Sequence, residues 1–218
     1  MRICIGIISY LPDDNDKRNN RRSKLLKLIN TCNTLFNLPI IVVAQNWKDT
    51  NLNSYSSLYN VKNVMLHHYE KPLGIIGARK ELRKLFLESD YDYLIMLDDD
   101  CSVTGTDVAA KNYIKQIEDH PGMWGMFMGT LLKLFAISKE VFKEVDFRDG
   151  RVEDGDFFED ILFVETLRKK YPDKMFKFNH LDLREKSNNY NDPDSTWFSG
   201  QFNKHEIGDR TRAILKEM

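Results

Sequence analysis

The sequence contains no apolar run that approaches the roughly 20 residues a helix needs to cross a bilayer. It has three cysteines, Cys4, Cys32 and Cys101, which form no C-x-x-C pair, and the first two fall in apolar segments. Such cysteines are typical of small buried side chains in a reduced protein, rather than of a disulfide framework or a zinc site. We therefore expect a soluble, cytoplasmic protein.

The chain also lacks a strong excess of charge of either sign. Its 32 Lys and Arg residues nearly balance its 33 Asp and Glu residues, so the formal net charge is -1. No global field is therefore expected to attract nucleic acid or an anionic membrane. Cations are concentrated in residues 16–24, DKRNNRRSK. This segment is either a solvated approach to a helix or an anion-binding segment.

Two familiar phosphate-binding patterns are missing as well. The absence of GxxxxGK[ST] excludes an ordinary P-loop nucleotide triphosphatase. A sugar-phosphate nucleotidyltransferase would place a Gly-rich loop with a basic residue after its first strand. Here the nearby glycine is Gly6, which lies within the predicted strand. The sequence therefore disfavours that class of enzyme.

Four near-continuous apolar runs predict the strands of a sheet: RICIGII (2–8), IIVVA (40–44), VMLHHY (64–69) and YLIML (93–97). Such runs are typical of parallel strands that are covered on both faces. Amphipathic segments follow the first and third runs, and SKLLKLINTCNTLF offers Ser23 as an N-cap. The alternation predicts an α/β fold with a mostly parallel central sheet.

The rest of the chain is more irregular. It predicts a helix over TDVAAKNYIKQIEDH, one or two strands in WGMFMGTLLKLFAIS, a short helix, and an apolar helix that stops at Pro172. A last short strand (175–179) precedes a polar loop (185–204) and a terminal helix. The composition changes near residue 101. We expect one domain in two halves, 1–101 and 102–218.

Three adjacent carboxylates, Asp98, Asp99 and Asp100, close the strand in YDYLIMLDDDCS. Like charges this close raise one another's pKa, and burial adds to the cost, so something must neutralise them. Mg²⁺ and Mn²⁺ prefer carboxylate oxygens and often bridge them to phosphates. Because ligands bind at the carboxyl ends of strands in open α/β sheets, a metal–diphosphate site is favoured here. An acidic loop that caps the next helix or faces water is the alternative.

The D-x-D strand end is preceded by LGIIGARKELRK, and together they resemble the nucleotide-sugar glycosyltransferases of GT-A fold, especially the inverting, family-2-like ones. Gly74, Ala78 and Arg79 match a Gly-x-x-x-Ala-Arg-Asn segment of that family, with Lys80 in place of the Asn. ISYLPD occupies the position of the base- and ribose-contacting loop. The resemblance covers most of residues 2–180. It implies a Rossmann-like, three-layer α/β/α architecture with a nucleotide-binding half and an acceptor-side half.

The resemblance also implies roles for individual residues at the donor. Asp98 would contact the ribose or base and share the metal, and Asp100 would ligate the metal. Arg79 would lie near the diphosphate or the base, and Asp99 takes the variable middle position. His180 is the preferred third metal ligand, with His205 as the alternative. The residues placed at the nucleotide are Ser9, Tyr10, Gly74, Arg79, Asp98 and Asp99.

FFEDILFVETLRKK resembles the segment that carries the catalytic base in this family. By that resemblance Asp160 is the general base and Glu159 orients the acceptor. An acceptor hydroxyl has too high a pKa to attack unaided, so a carboxylate must take its proton in the transition state. Other nearby carboxylates compete for the role: Glu153, Asp154 and Asp156. A helix N-terminus that favours an acidic residue is the simpler explanation of Asp160.

These features lead us to expect a Mn²⁺- or Mg²⁺-dependent glycosyltransferase that moves a sugar from a UDP-sugar to an acceptor hydroxyl with inversion. The acceptor is a glycan or another hydroxyl compound. The small size and the basic segment 16–24 also allow a modified base in phage DNA, that is, a nucleic-acid acceptor. A nucleotidyltransferase-type metal enzyme or a non-catalytic nucleotide-sugar-binding module is the remaining alternative.

Overall fold

A computed structural model describes residues 1–11, 13, 15–46, 61–99, 101–126, 134–147, 159–178 and 184–187. Seven of its strands form one sheet in the order β3-β2-β1-β4-β7-β6-β8. Of these, β7 runs opposite to the other six. The strands are β1 (Ile3–Tyr10), β2 (Ile40–Gln45), β3 (Val64–Tyr69), β4 (Tyr93–Asp98), β5 (Cys101–Thr104), β6 (Trp124–Met126), β7 (Phe135–Ser138), β8 (Met175–Lys177) and β9 (Arg184–Ser187).

Five α-helices are described, and none of them is long and apolar enough to span a membrane. Two have a side-chain N-cap, since the hydroxyl of Thr106 accepts from the Ala109 amide and that of Ser138 from the Val141 amide. The helices are α1 (Asn15–Phe36), α2 (Gly74–Glu88), α3 (Asp107–Glu118), α4 (Lys139–Lys143) and α5 (Glu159–Lys170).

The central strands β1, β2 and β4 are buried on both faces, and the core therefore has two parts. On one face, odd-numbered residues of β1 and β4 such as Ile5 and Ile95 pack with α1 and α3. On the other face, even-numbered residues such as Cys4 and Leu94 pack with α2, α4 and α5. This alternation follows from the two-residue repeat of a strand. It confirms the predicted three-layer α/β/α arrangement around a mostly parallel sheet.

The predicted start of the first helix is wrong. Ser23 is not its N-cap, because α1 already begins at Asn15 and Ser23 is an exposed residue within it. The first two turns carry no apolar periodicity, so the hydrophobic pattern begins only at Leu25. Their Lys and Arg residues nevertheless have good helix propensity. The early start places the basic segment 16–24 in a helix rather than in a loop.

Part of the predicted C-terminal loop is also wrong. Arg184–Ser187 forms β9, which pairs antiparallel with β5 in a separate two-stranded sheet. Neither short strand carries a long apolar run that would have marked it in the sequence, and the two are paired through the backbone. Residues 188–218, which include the rest of the predicted loop and the predicted terminal helix, lie outside the described residues.

Cys4 and Cys32 are buried in the core, as predicted, and Cys101 is buried as well; all three are free cysteines. Burial raises the pKa of the Cys32 thiol to about 12 and also raises the pKa of Cys4. Both thiols therefore stay protonated at neutral pH and act as small hydrophobic side chains.

Gly6 lets α2 approach the centre of the sheet. A Cβ built on Gly6 would lie 2.8 Å from methyl groups of Leu82 and of Leu94, which are both buried. Leu82 lies one turn after Arg79 on α2. We predict that Gly6→Ala lowers the free energy of unfolding by about 1–3 kcal/mol through overpacking. Urea denaturation would measure the loss, and an unchanged midpoint would show that the helix shifts freely.

Candidate active site

The carboxyl ends of β1 and β4 lie side by side at the centre of the sheet. The two strands are parallel neighbours, and Ile8 is in register with Asp98. Ser9 and Tyr10 therefore end β1 next to the point where Asp98 and Asp99 leave β4. Ligands of open α/β sheets bind in the crevice outside such strand ends. This edge is the natural place for a functional site.

Asp99 is turned into the protein, where its side chain is only 9% exposed. Its Oδ2 accepts a hydrogen bond from the Ser9 hydroxyl at 2.7 Å and a longer one from the Tyr10 amide at 3.4 Å. Its Oδ1 lies 2.8 Å from Nη1 of Arg21, which reaches it from the second turn of α1. Both carboxylate oxygens thus have donors within the protein.

Asp98 is paired with a different arginine. Nη2 of Arg79, on α2, lies 3.3 Å from its Oδ1 and 3.5 Å from its Oδ2. The Arg79 side chain is 3% exposed, whereas that of Asp98 is 24% exposed. The carboxylate therefore has a buried cation on one side and access to the site on the other.

The two pairs explain how adjacent carboxylates coexist at this strand end. Successive side chains of a strand point to opposite faces. Asp99 accordingly faces α1, on the side of Ile95 and Leu97, and Asp98 faces α2, on the side of Met96. Each carboxylate meets an arginine from the helix that covers its face, so two of the three charges are balanced without a metal.

Gly74 begins α2 at the same edge of the sheet. Its φ of +71° lies in the left-handed region that favours glycine, and a Cβ there would have open space around it. The preceding residue, Leu73, donates its amide to Oε1 of Gln45 at 2.7 Å. Because Gln45 is the last residue of β2, this bond ties the start of α2 to the strand ends.

Asp160 lies in the first turn of α5 and is half-buried. Its Oδ1 accepts from the amide of Ile161 at 2.8 Å. Phe163, on the next turn, stacks on Phe147 with ring centroids 4.2 Å apart. The guanidinium of Arg79 lies 5.7 Å from the centroid of Phe147, within cation–π range. Two aromatic rings therefore connect the Asp98–Arg79 pair to the helix that carries Asp160.

Several solved structures share this architecture. S. aureus TarS 1-349 in complex with UDP-GlcNAc aligns over 82% of this chain and 56% of its own, with a TM-score of 0.58 and 15% identity. The mannosyltransferase PcManGT from Pyrobaculum calidifontis, in complex with GDP-Man and Mn²⁺, aligns over 82% of this chain and 55% of its own, with a TM-score of 0.56 and 12% identity. The fold is of the GT-A type.

A mycobacterial protein aligns over 98% of this chain and 72% of its own, with a TM-score of 0.56 and 11% identity. No protein-family model matches the chain, and no curated protein matches its sequence. The chain spans 35% to 58% of the length of the TarS chains that it matches. At these identities the likeness shows the GT-A fold.

Of the two described carboxylates at this strand end, Asp98 is the more exposed. It has the hard oxygen donors that Mg²⁺ and Mn²⁺ prefer, and it shares them with Arg79, whereas the Asp99 side chain is only 9% exposed and is bonded to Ser9 and Arg21. No group of three His, Cys, Asp or Glu residues that could hold a metal is found among the described residues. Asp100, His180 and His205 lie outside the described residues, as does the Glu159 side chain. Asp98 fits as one ligand of a shared site.

Sequence reasoning missed two side chains of this site, Arg21 and Phe147. Arg21 was included in the basic segment 16–24, but nothing in that segment singles it out. The two-residue repeat of a strand is the signal that could have indicated a partner such as Arg21. It assigns Asp98 and Asp99 to opposite faces of the sheet, so each carboxylate needs a cation from the helix on its own face. The prediction for Arg79 is a position near the diphosphate or the base. In the structure its guanidinium contacts Asp98, and its side chain is buried.

Proposed function

We propose that this chain is a glycosyltransferase that moves a sugar from a nucleotide-sugar, in the first instance a UDP-sugar, to an acceptor hydroxyl. The observation that carries the proposal is the position of Asp98. It is a partly exposed carboxylate, backed by a buried arginine, at the carboxyl end of the central strand β4 of a GT-A fold. Nucleotide-sugars in the complexes of TarS and PcManGT support this donor class.

Asp98 and Asp100 would hold a Mn²⁺ or Mg²⁺ ion, with His180 as a third ligand. The cation would stabilise the negative charge that builds on the departing nucleoside diphosphate. Arg79 holds the Asp98 carboxylate in place through the contacts of its Nη2 with both carboxylate oxygens. Tyr10 and Gly74 border the same crevice and would supply its walls around the base and ribose, and the buried Ser9 would support them from beneath through its bond to Asp99.

Asp160 acts as the general base, and Glu159 orients the acceptor. The acceptor oxygen forms a bond to the anomeric carbon while the bond from that carbon to the diphosphate oxygen breaks. The hydroxyl proton passes to the Asp160 carboxylate, and the bonding electrons leave with the nucleoside diphosphate. A single displacement of this kind inverts the anomeric configuration.

Donor turnover tests the proposal. The full chain is incubated with a panel of UDP- and GDP-sugars, with Mn²⁺ or with EDTA, and nucleoside diphosphate release is followed by chromatography. We expect release from at least one donor in Mn²⁺ and none in EDTA. If a nucleotide-sugar binds but is not consumed with any acceptor offered, the non-catalytic binding module becomes the better explanation.

A further inference from the structure

Asp99, Ser9 and Arg21, here called the Asp99 network, join three segments that are far apart in the sequence. Asp99 follows β4, Ser9 lies 90 residues earlier at the end of β1, and Arg21 lies 78 residues earlier on α1. The backbone adds to the connection, since the amide of Asp99 donates to the carbonyl of Ile8 at 3.2 Å. The network therefore holds α1 and the end of β1 against the end of β4.

The end of β1 is held by this network and by its neighbours on β2. The Tyr10 amide and the Arg21 side chain both reach the Asp99 carboxylate. After Tyr10, the Leu11 amide donates to the carbonyl of Gln45 at 3.1 Å, and Nδ2 of Asn46 donates to the carbonyl of Leu11 at 2.8 Å. These bonds fix Tyr10 and Leu11 beside the crevice at the sheet edge.

A ligand would have to break this network in order to use Asp99. Ser9 is buried, the Asp99 side chain is 9% exposed and that of Arg21 is 23% exposed. Charge-assisted hydrogen bonds from an arginine are among the stronger polar interactions in proteins. Arg21 also cancels a negative charge that would otherwise repel an anionic diphosphate placed next to Asp98.

We propose that Asp99 is a positioning residue for the nucleotide-sugar donor and not a ligand of the metal or the nucleotide. It acts through Ser9 and Arg21, which fix Tyr10 and Leu11 at the end of β1 in the position that receives the base and ribose. This assigns a role to the middle carboxylate of the D-x-D segment and rests on the proposed function. Its loss weakens donor binding and leaves the chemical step nearly intact.

The test compares Asp99→Asn, Arg21→Gln and Arg21→Lys with the wild-type chain, and Lys27→Gln is the matched control. Lys27 is an exposed cation on the same helix. Asp99→Asn preserves the shape and one oxygen acceptor, and Arg21→Lys restores the positive charge without the guanidinium. Two readouts are measured, the kinetic constants KM and kcat for the donor and the hydrogen exchange of the Tyr10 and Leu11 amides.

We expect Asp99→Asn and Arg21→Gln to raise the donor KM by about 5- to 20-fold, as for the loss of one charge-assisted hydrogen bond, with kcat within about threefold of wild type. Exchange at Tyr10 and Leu11 should become faster in both variants. The donor KM of Arg21→Lys should lie between those of wild type and Arg21→Gln. Lys27→Gln should match wild type in every measurement.

Two results would overturn the proposal. If Asp99→Asn loses kcat and Mn²⁺ affinity while the KM stays constant, Asp99 is a metal ligand. If the amides exchange at the wild-type rate in both variants, the network does not fix the end of β1. The exchange measurement needs no activity. It therefore decides the role of the network even if the wild-type chain consumes no nucleotide-sugar, an outcome that would refute the proposed function separately.

Discussion

Arg79→Met is expected to destabilise the fold and abolish donor binding together. The substitution keeps the length of the side chain but leaves Asp98 without its cation at a site where three-quarters of the carboxylate side chain is buried. Breaking a buried ion pair from one side costs several kcal/mol, and the partial exposure of Asp98 reduces this to about 2–4 kcal/mol. The loss is measured by urea denaturation, and donor binding by titration calorimetry.

Three further variants separate charge from packing. Lys80→Met removes an exposed cation next to Arg79 on the same helix and should leave stability and binding unchanged. The double variant Arg79→Met with Asp98→Asn should recover part of the stability, since no lone charge remains, but not donor binding. The stability and the donor affinity of Arg79→Lys should lie between those of wild type and Arg79→Met. A fully stable Arg79→Met variant would contradict the importance of the pair.

Asp160→Asn is expected to reduce kcat for sugar transfer by about 10²- to 10⁴-fold, the usual contribution of a general base. Donor affinity should be unchanged, because the carboxylate acts on the acceptor hydroxyl and not on the nucleotide. Asparagine is nearly isosteric and can still accept the hydrogen bond from the Ile161 amide, so the first turn of α5 is preserved. Single-turnover kinetics with a donor and its acceptor would measure the loss.

The competing carboxylates provide the control series for this prediction. Glu153→Gln, Asp154→Asn, Asp156→Asn and Glu159→Gln are measured in the same assay. We expect the first three to retain kcat and Glu159→Gln to raise the acceptor KM. If Asp160→Asn retains its activity while another variant loses it, the base is that other residue and Asp160 only caps the helix.

The central strands β1, β2 and β4 were predictable because they are buried on both faces, and the half-buried edge strand β3 also carries a run of apolar and aromatic residues. Near-continuous apolar runs identified β1 to β4 to within a few residues, and the 3–4-residue spacing of Leu25, Leu28 and Ile29 identified the buried face of α1. The start of α1 and the pair β5–β9 escaped prediction. Polar helix turns and backbone-paired edge strands leave no hydrophobic pattern in the sequence.

The position of the carboxylates in the fold was predictable, but their partners were not. The sequence places Asp98 and Asp99 at the carboxyl end of a central strand, where ligands of open α/β sheets bind, and the structure places them there. Their partners, Arg21 and Arg79, come from helices on opposite faces, and several cations near each are equally plausible by spacing alone. The register of α1 decides which cation reaches Asp99, and that register follows from packing in three dimensions.

Binding of a nucleoside diphosphate with a divalent cation is the most direct test of a donor site at Asp98. Thermal unfolding of the wild-type chain and of Asp98→Asn is followed with UDP, GDP and their sugars, with Mn²⁺ and with EDTA. At a ligand concentration of 100 times Kd, wild-type Tm should rise by about 5–10 °C in Mn²⁺ only, and Asp98→Asn should show no rise. A wild-type Tm that responds to no nucleotide, or an equal rise in Asp98→Asn, would contradict the account.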